Sequence, residues 1–242
     1  DHTIELPNLW LTGWLFGRKK NMQVYGPEGT EEFMNHFEQA FDWDLRYRYL
    51  TNVHVEGSDL ITTDIEPGVF YNKNGIKITA FDVAHLPMDP DTEELLGLEG
   101  ATFGYRVDYK GRSVVFSGDT RSLPGSKIIE ISKGVDVLVH ETQIPYPGDS
   151  KEAKLANVSM IVHSSPEQVA YVFNETRPRL GIYHHIIPPE TTRDELLGMT
   201  DYDGRMEVAE DLMTLMIGDE ITVGMAERMD GQTFLESDAV DE

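Results

Sequence analysis

Three apolar stretches rich in β-branched residues each end in a side chain that can bind a metal. Residues 81–85 end in His85, residues 114–119 end in Asp119, and residues 180–184 end in His184. If each stretch is a strand that ends at the same edge, these side chains can share one site. Imidazole and carboxylate together suit a divalent cation such as zinc, and a bridging carboxylate lets two cations lie side by side. The pattern therefore predicts a metal site with hydrolytic chemistry.

Composition limits the partners of this chain. It has 242 residues with 20 Lys and Arg against 43 Asp and Glu, a formal net charge of −23. Such a field repels polyanions, which disfavours nucleic-acid binding unless a local basic patch overrides it. The longest apolar stretches are far shorter than the ~20 residues of a membrane span. The absence of cysteine excludes disulfides and thiolate ligands, and it favours an exported bacterial, periplasmic protein over a cytoplasmic one.

The elements that must position these residues fall into two halves. The first half is mainly β, with a strand over residues 22–25, a helix over 30–41 and two hairpins. The hairpins pair residues 68–71 with 76–81, and 102–109 with 113–116, with an acidic loop over 87–100 between them.

After Asp119, helices and strands alternate. Helices are predicted over residues 127–132, 166–174 and 206–217, and strands over 135–139, 180–183, 221–225 and 233–235. Because no linker or repeat divides the chain, residues 1–242 are predicted to form a single domain. The order of elements predicts an α/β fold, an αββα sandwich of two facing mixed sheets.

At the residues that could bind metal, the sequence resembles the metallo-β-lactamase fold hydrolases, in their ribonuclease Z-like branch. That family carries His-x-His-x-Asp-His, then a single His, an Asp and a final His at one edge of its sheets. The matching segments here are Asp1-His2, His85, Ser117-Gly118-Asp119-Thr120 and His184, with further similarity at His140-Glu141-Thr142 and His163-Ser164-Ser165.

The resemblance implies a role for each of these residues. One metal would take His85 and Asp119, and the other would take Asp1, His2, Asp119 and His184. The cofactors would be two divalent ions, zinc first, although the same ligands serve manganese and iron. A metal-bound hydroxide would be the nucleophile.

The resemblance also implies catalytic roles. Asp1 would orient the attacking water or take its proton. His140 and His163 would support the ligands or act on the leaving group, with Glu141 orienting His140.

Two departures from the family pattern shape the expectations. The His-x-His pair before Asp1 is missing, so the domain is expected to be N-terminally incomplete and to lack its first strands. The long basic arm with which ribonuclease Z grips tRNA is also missing between His85 and Asp119. With the charge of −23, this favours a small ester-type substrate (a phosphodiester, a sulfate ester or a carboxylic ester) over tRNA.

Several alternatives stay open. His185 is the alternative to His184, because neighbours on a strand point to opposite faces. The chain could instead be a lactonase, a tRNA 3′-processing-type nuclease of the same fold, or a non-catalytic relative that binds no metal. Trp10, Trp14 and Phe16 are either core or the wall of an apolar pocket, and this segment could support a homodimer.

Overall fold

The computed structural model of the protein describes residues 2–51, 54–85 and 102–226. Within them the helices are α1 (Leu6–Leu15), α2 (Thr30–Ala40), α3 (Asp42–Leu50), α4 (Lys127–Ile131), α5 (Lys151–Ala156), α6 (Pro166–Thr176) and α7 (Arg193–Gly198), with a 3-10 helix at Asn157–Ile161. The strands are β1 (Met22–Gly26), β2 (Leu60–Asp64), β3 (Gly68–Lys73), β4 (Ile76–Asp82), β5 (Phe103–Tyr109), β6 (Arg112–Phe116), β7 (Val137–Gln143), β8 (Leu180–Ile187), β9 (Met206–Val208), β10 (Met213–Ile217) and β11 (Ile221–Met225). The predicted α/β class is confirmed. None of the described helices has the length and apolar character needed to cross a membrane.

Seven strands form the central mixed sheet, in the order β3-β4-β5-β6-β7-β8-β9. The two predicted hairpins, β3–β4 and β5–β6, are confirmed and turn at Asn74-Gly75 and Lys110-Gly111. All four turn residues have positive φ, at 53°, 78°, 48° and 76°. Positive φ at both central residues is the type I′ geometry, whose twist matches that of the paired strands.

Five strands of this sheet, β4, β6, β7, β8 and β9, run in the same direction. β4 and β6 are both antiparallel to β5, and β6, β7 and β8 pair in parallel. The carboxyl ends of β4, β6, β7 and β8 therefore meet at one edge, as the prediction of a shared site requires.

The sheet has a helical face and a hairpin face. On the helical face, Val115, Leu138 and Tyr183 pack against residues of α4, α6 and α7. On the opposite face, Val139 and Ile182 pack against the two-stranded sheet of β10 and β11. Because side chains alternate along a strand, each β7 residue is committed to one face by its position.

A smaller parallel sheet of β1 and β2 packs with the first helices. Trp10 and Trp14 of α1 are 1% and 0% exposed, and their indole N–H groups donate to the Ser58 and His54 carbonyls at 2.8 and 2.7 Å. They are core residues, whereas Phe16 is 83% exposed. Satisfied indole donors explain how such large rings fit a buried position.

The helix predicted over residues 206–217 is wrong. The chain forms β9 on the free edge of β8, turns through Leu212 with φ at 70°, and continues as β10, which pairs with β11. Backbone pairing with β8 and burial of apolar side chains on the hairpin face of the sheet outweigh the helical spacing of apolar residues in this segment. Strand formation depends on such long-range contacts. The predicted loop over 87–100 and the predicted strand over 233–235 lie outside the described residues.

Asp136, just before β7, ties three parts of the fold together. Its carboxylate accepts a 2.8 Å hydrogen bond from the Ser113 backbone N–H and a further bond from Arg179, which also donates to the Gly218 carbonyl in the β10–β11 turn. Burial alone would raise the pKa of Asp136. The hydrogen bonds and charge of Arg179, with those from Ser113, outweigh it and hold the pKa below its usual value.

We expect Asp136→Asn to lower the free energy of unfolding at pH 7 by about 1–3 kcal/mol, the usual cost of losing a hydrogen bond to a buried charged group. A carboxyl whose folded-state pKa is depressed stabilises the fold above its unfolded pKa and loses that contribution as the pH falls through the folded value. The difference from wild type should therefore shrink below about pH 4 in urea denaturation curves. Asp203→Asn, which breaks an exposed pair with Arg177, is the control and should cost little. A difference that stays constant down to pH 3 would contradict the assignment.

Candidate metal centre

The shared edge of the central sheet carries a cluster of imidazoles around one carboxylate. His85 follows β4, Asp119 follows β6, and His185 lies on β8, while His163 precedes α6. His2, from the start of the described chain, approaches from the outside. Long-range strand pairing thus brings together residues that are far apart in sequence.

Asp119 is the centre of this cluster. Its Oδ2 lies 3.2 Å from Nε2 of His2, 3.4 Å from Nε2 of His185 and 3.8 Å from Nε2 of His85. Asp119 is only 8% exposed, and its Oδ1 is buried with no hydrogen-bond partner among the described residues. A buried, partly unsatisfied carboxylate facing three imidazoles is the donor arrangement expected of a cation site.

His163 completes the cluster and is held from behind by Glu141. Its ring centroid lies 4.9 Å from that of His85 and 5.6 Å from that of His185. Its Nδ1 lies 3.1 Å from Oε2 of Glu141, a fully buried carboxylate. Burial alone would lower the pKa of His163. The hydrogen bond and charge of Glu141, with the charge of Asp119, outweigh it and raise the pKa above its usual value.

Nδ1 of His85 lies 3.2 Å from the Val162 carbonyl. A ring nitrogen that is hydrogen-bonded to a carbonyl or to a carboxylate carries the proton, which leaves the other nitrogen free to bind a metal. For His85 and His163, the nitrogen held in this way is Nδ1, so Nε2 is the free donor in each.

Gly118 allows the chain to turn at the end of β6 and to present Asp119. Its φ is +60°, and a Cβ built on it would lie 2.9 Å from the Phe103 carbonyl oxygen. The position therefore needs both a left-handed backbone and the absence of a side chain.

We expect Gly118→Ala to destabilise the protein and to weaken cation binding, because relief of the contact with Phe103 must move the neighbouring Asp119. Gly134→Ala is a matched control, since Gly134 has φ +65° and open space around its would-be Cβ. That control should lose about 1–2 kcal/mol from backbone strain alone. Thermal unfolding and zinc titration of the two variants would separate strain from displacement. Equal losses in both would contradict a special role for Gly118.

Of the two neighbouring histidines on β8, His185 rather than His184 faces Asp119, the reverse of the preference drawn from the sequence. The pairing of β7 with β8 is irregular after Glu141 and His184, and His185 has φ at 44°. This β-bulge changes the alternation of side chains, so that His185 faces Asp119. His184 is outside the clusters with metal-ligand spacing among the described residues. Burial, together with the charges of His140 and His185, lowers its pKa to about 4.

His140 does not reach the cluster. It is fully buried and contacts Phe173 of the helical core edge-to-face, with Nε2 2.9 Å from the Ser122 hydroxyl and Nδ1 2.7 Å from the Glu141 carbonyl. Both ring nitrogens are thus engaged, and burial lowers its pKa. The carboxylate of Glu141, expected to orient His140, contacts His163 instead. Asp1 lies outside the described residues.

The described residues contain three groups whose ligand atoms lie within 4.8 Å of one another. They are His2 with Asp119 and His185, His85 with Asp119 and His163, and Glu141 with His163 and His185. The first two share Asp119, and their nitrogen and oxygen donors suit zinc, manganese or iron. Buried polar atoms without a hydrogen-bond partner among the described residues include Oδ1 of Asp119, Nδ1 of His185 and Nε2 of His184. The orphaned Oδ1 of Asp119 fits a site built for cations.

Comparison with known proteins gives one consistent result. A family described as the beta-lactamase superfamily domain matches residues 1–186. The ribonuclease Z of Mycobacterium bovis is 26% identical over 227 residues, which cover 88% of this chain and 74% of that protein. The metallo-beta-lactamase fold protein YhfI of Bacillus subtilis superposes with a TM-score of 0.56 at 15% identity, covering 87% of this chain and 71% of YhfI. The short form of human tRNase Z gives 0.51 at 18% identity, covering 85% and 71%.

Proposed function

Because this chain belongs to the beta-lactamase superfamily and is a hydrolase of the metallo-β-lactamase fold, we propose that it is a cation-dependent phosphodiesterase acting on a small substrate. The observation that carries the proposal is the convergence of three imidazoles on one buried carboxylate, with a fourth imidazole backed by Glu141. Two adjacent cation sites that share a carboxylate suit in-line displacement at phosphorus.

His2, His85, Asp119, His163 and His185 are the residues that would hold the cations, with zinc as the first candidate. Cations held there would supply Lewis acidity toward the ester and would lower the pKa of water toward neutrality. Asp119 belongs to both the His2 group and the His85 group, so it would be the carboxylate common to the two cations.

His163 is also placed to protonate a leaving group. The hydrogen bond from its Nδ1 to Glu141 leaves Nε2 facing the cluster. A histidine held in this way by a carboxylate can act as a general acid. Nε2 of His163 can bind a cation or carry the proton that it donates, but it cannot do both at once, because each requires the same lone pair.

The substrate is proposed to be small because of charge. A net charge of −23 opposes the approach of a long polyanion and is much less costly for a compact ester with one phosphate. The second candidate, an RNA nuclease, is supported by a specific observation, the relative named ribonuclease Z. Both functions would use the same cation centre. They differ in how strongly substrate binding depends on the salt concentration.

A substrate panel tests the proposal. With zinc or manganese added, we expect turnover of bis-p-nitrophenyl phosphate and much less of p-nitrophenyl sulfate, p-nitrophenyl acetate or a homoserine lactone. A precursor tRNA with a 3′ trailer, cleaved with an affinity that falls steeply with salt, would favour the nuclease. Preferential lactone or carboxylic-ester cleavage would overturn the phosphodiester assignment. A protein that binds no metal and cleaves none of these would be a non-catalytic relative.

A further inference from the structure

Ser164 is a fully buried serine whose hydroxyl joins two of the loops that carry the cluster. Its Oγ donates a 2.6 Å hydrogen bond to the Thr120 carbonyl and accepts a 2.9 Å bond from the Ser122 backbone N–H. Thr120 directly follows Asp119, and His163 directly precedes Ser164. One hydroxyl therefore connects the backbone beside the central carboxylate with the backbone beside the fourth imidazole.

The carboxylate of Glu141 connects the same two loops through further hydrogen bonds. Its Oε1 accepts hydrogen bonds from the backbone N–H groups of Ser164 and Thr120, at 2.9 and 3.2 Å, while its Oε2 contacts His163. Thr120 in turn extends the network to the third loop. Its hydroxyl accepts a 3.1 Å hydrogen bond from the backbone N–H of Ala84, the residue before His85.

We propose that the hydroxyls of Ser164 and Thr120 are positioning groups that fix the Asp119 loop against the loops of His163 and His85, and so set the affinity of the centre for its cations. Neither hydroxyl is a usual zinc ligand, since zinc in proteins is bound by Cys, His, Asp and Glu side chains. Their effect is exerted through backbone hydrogen bonds in a region that excludes water. A fixed spacing of the ligands raises the affinity for the cation, because ligands that are already in place do not have to be ordered when the cation binds.

An alternative is that these hydroxyls only stabilise the fold, and Ser165 supplies the control for it. Ser165 is the N-cap of α6, and its hydroxyl accepts a hydrogen bond from the Gln168 N–H. Ser165→Ala should lower stability by about 1 kcal/mol, as lost N-caps usually do. That variant removes a hydroxyl one residue away without touching the Asp119 loop.

The test measures zinc affinity of the whole protein by competition with a chromophoric chelator, in variants Ser164→Ala, Thr120→Val and Ser165→Ala. The proposal rests on the proposed function, since it needs a cation centre. We expect Ser164→Ala and Thr120→Val each to weaken zinc binding by about tenfold or more, the range for residues that orient metal ligands. Ser165→Ala should bind zinc as wild type does, and Thr120→Ser should restore the affinity lost in Thr120→Val.

Two results would overturn the inference in distinguishable ways. If wild type binds zinc and both hydroxyl variants bind it equally well, the positioning role is wrong and the proposed function stands. If wild type binds neither zinc nor manganese, the proposed function and this inference fall together. A readout that needs no metal is amide exchange at Ser122, which should accelerate in Ser164→Ala beyond the loss of global stability. Unchanged protection there would also count against the role, even if a variant were too unstable for zinc titration.

Discussion

Asp119→Asn is expected to remove cation binding and to reduce kcat/KM for a phosphodiester by about a thousandfold or more. Asn has nearly the same shape, but it lacks the negative charge that faces three imidazoles. A loss of about 4 kcal/mol of transition-state stabilisation corresponds to about a thousandfold in rate. Losing the one carboxylate shared by the two ligand groups justifies an effect of that size.

The measurement pairs metal content by atomic emission with initial rates, and thermal unfolding in the presence of a chelator checks the fold. Asp149→Asn is a charge-matched control, because Asp149 is exposed and its pair with Lys154, at 3.7 Å, lies on the surface. It should retain metal and activity. If Asp119→Asn also kept its full metal content and rate, the cation centre would have to lie elsewhere.

The second large effect separates two adjacent histidines. His185→Ala should weaken cation binding by about a hundredfold and lower activity in parallel, because it removes an imidazole whose Nε2 faces Asp119 at 3.4 Å. His184→Ala should retain near-normal affinity, since His184 is in none of the described groups with ligand spacing.

Titration with cobalt gives a direct spectroscopic measure of which variant loses a nitrogen ligand. Stability must be measured alongside, because His184 is half-buried and its removal leaves a cavity. If His184→Ala lost the cobalt signal and His185→Ala kept it, regular strand alternation rather than the bulge would describe the functional site.

Much of the framework could be predicted from local sequence. Asn74-Gly75 and Lys110-Gly111 each permit the positive φ that a two-residue hairpin turn requires, so both hairpins could be found without tertiary information. His85 and Asp119 could also be identified as candidate site residues from the sequence. Each follows a predicted strand, and parallel strands that end together bring the residues at their ends to one edge of the sheet.

Other features depend on long-range pairing and could not be predicted in that way. The bulge that turns His185 toward Asp119 exists only because β8 pairs irregularly with β7. His140 and Glu141 are adjacent, and which of them faces the cluster depends on which face of β7 the helices cover. Residues 206–217 form strands because β9 pairs with the free edge of β8 and β10 pairs with β11.

The two type I′ turns have a practical consequence for handling the protein. They lie at the amino ends of β4 and β6, whereas the cluster lies beyond the carboxyl ends of the same strands. With seven residues in β4 at about 3.3 Å each, the distance from turn to cluster is on the order of 20 Å. An affinity tag or a fluorophore inserted at the exposed Lys110-Gly111 turn would therefore immobilise or label the molecule at the end opposite the cluster.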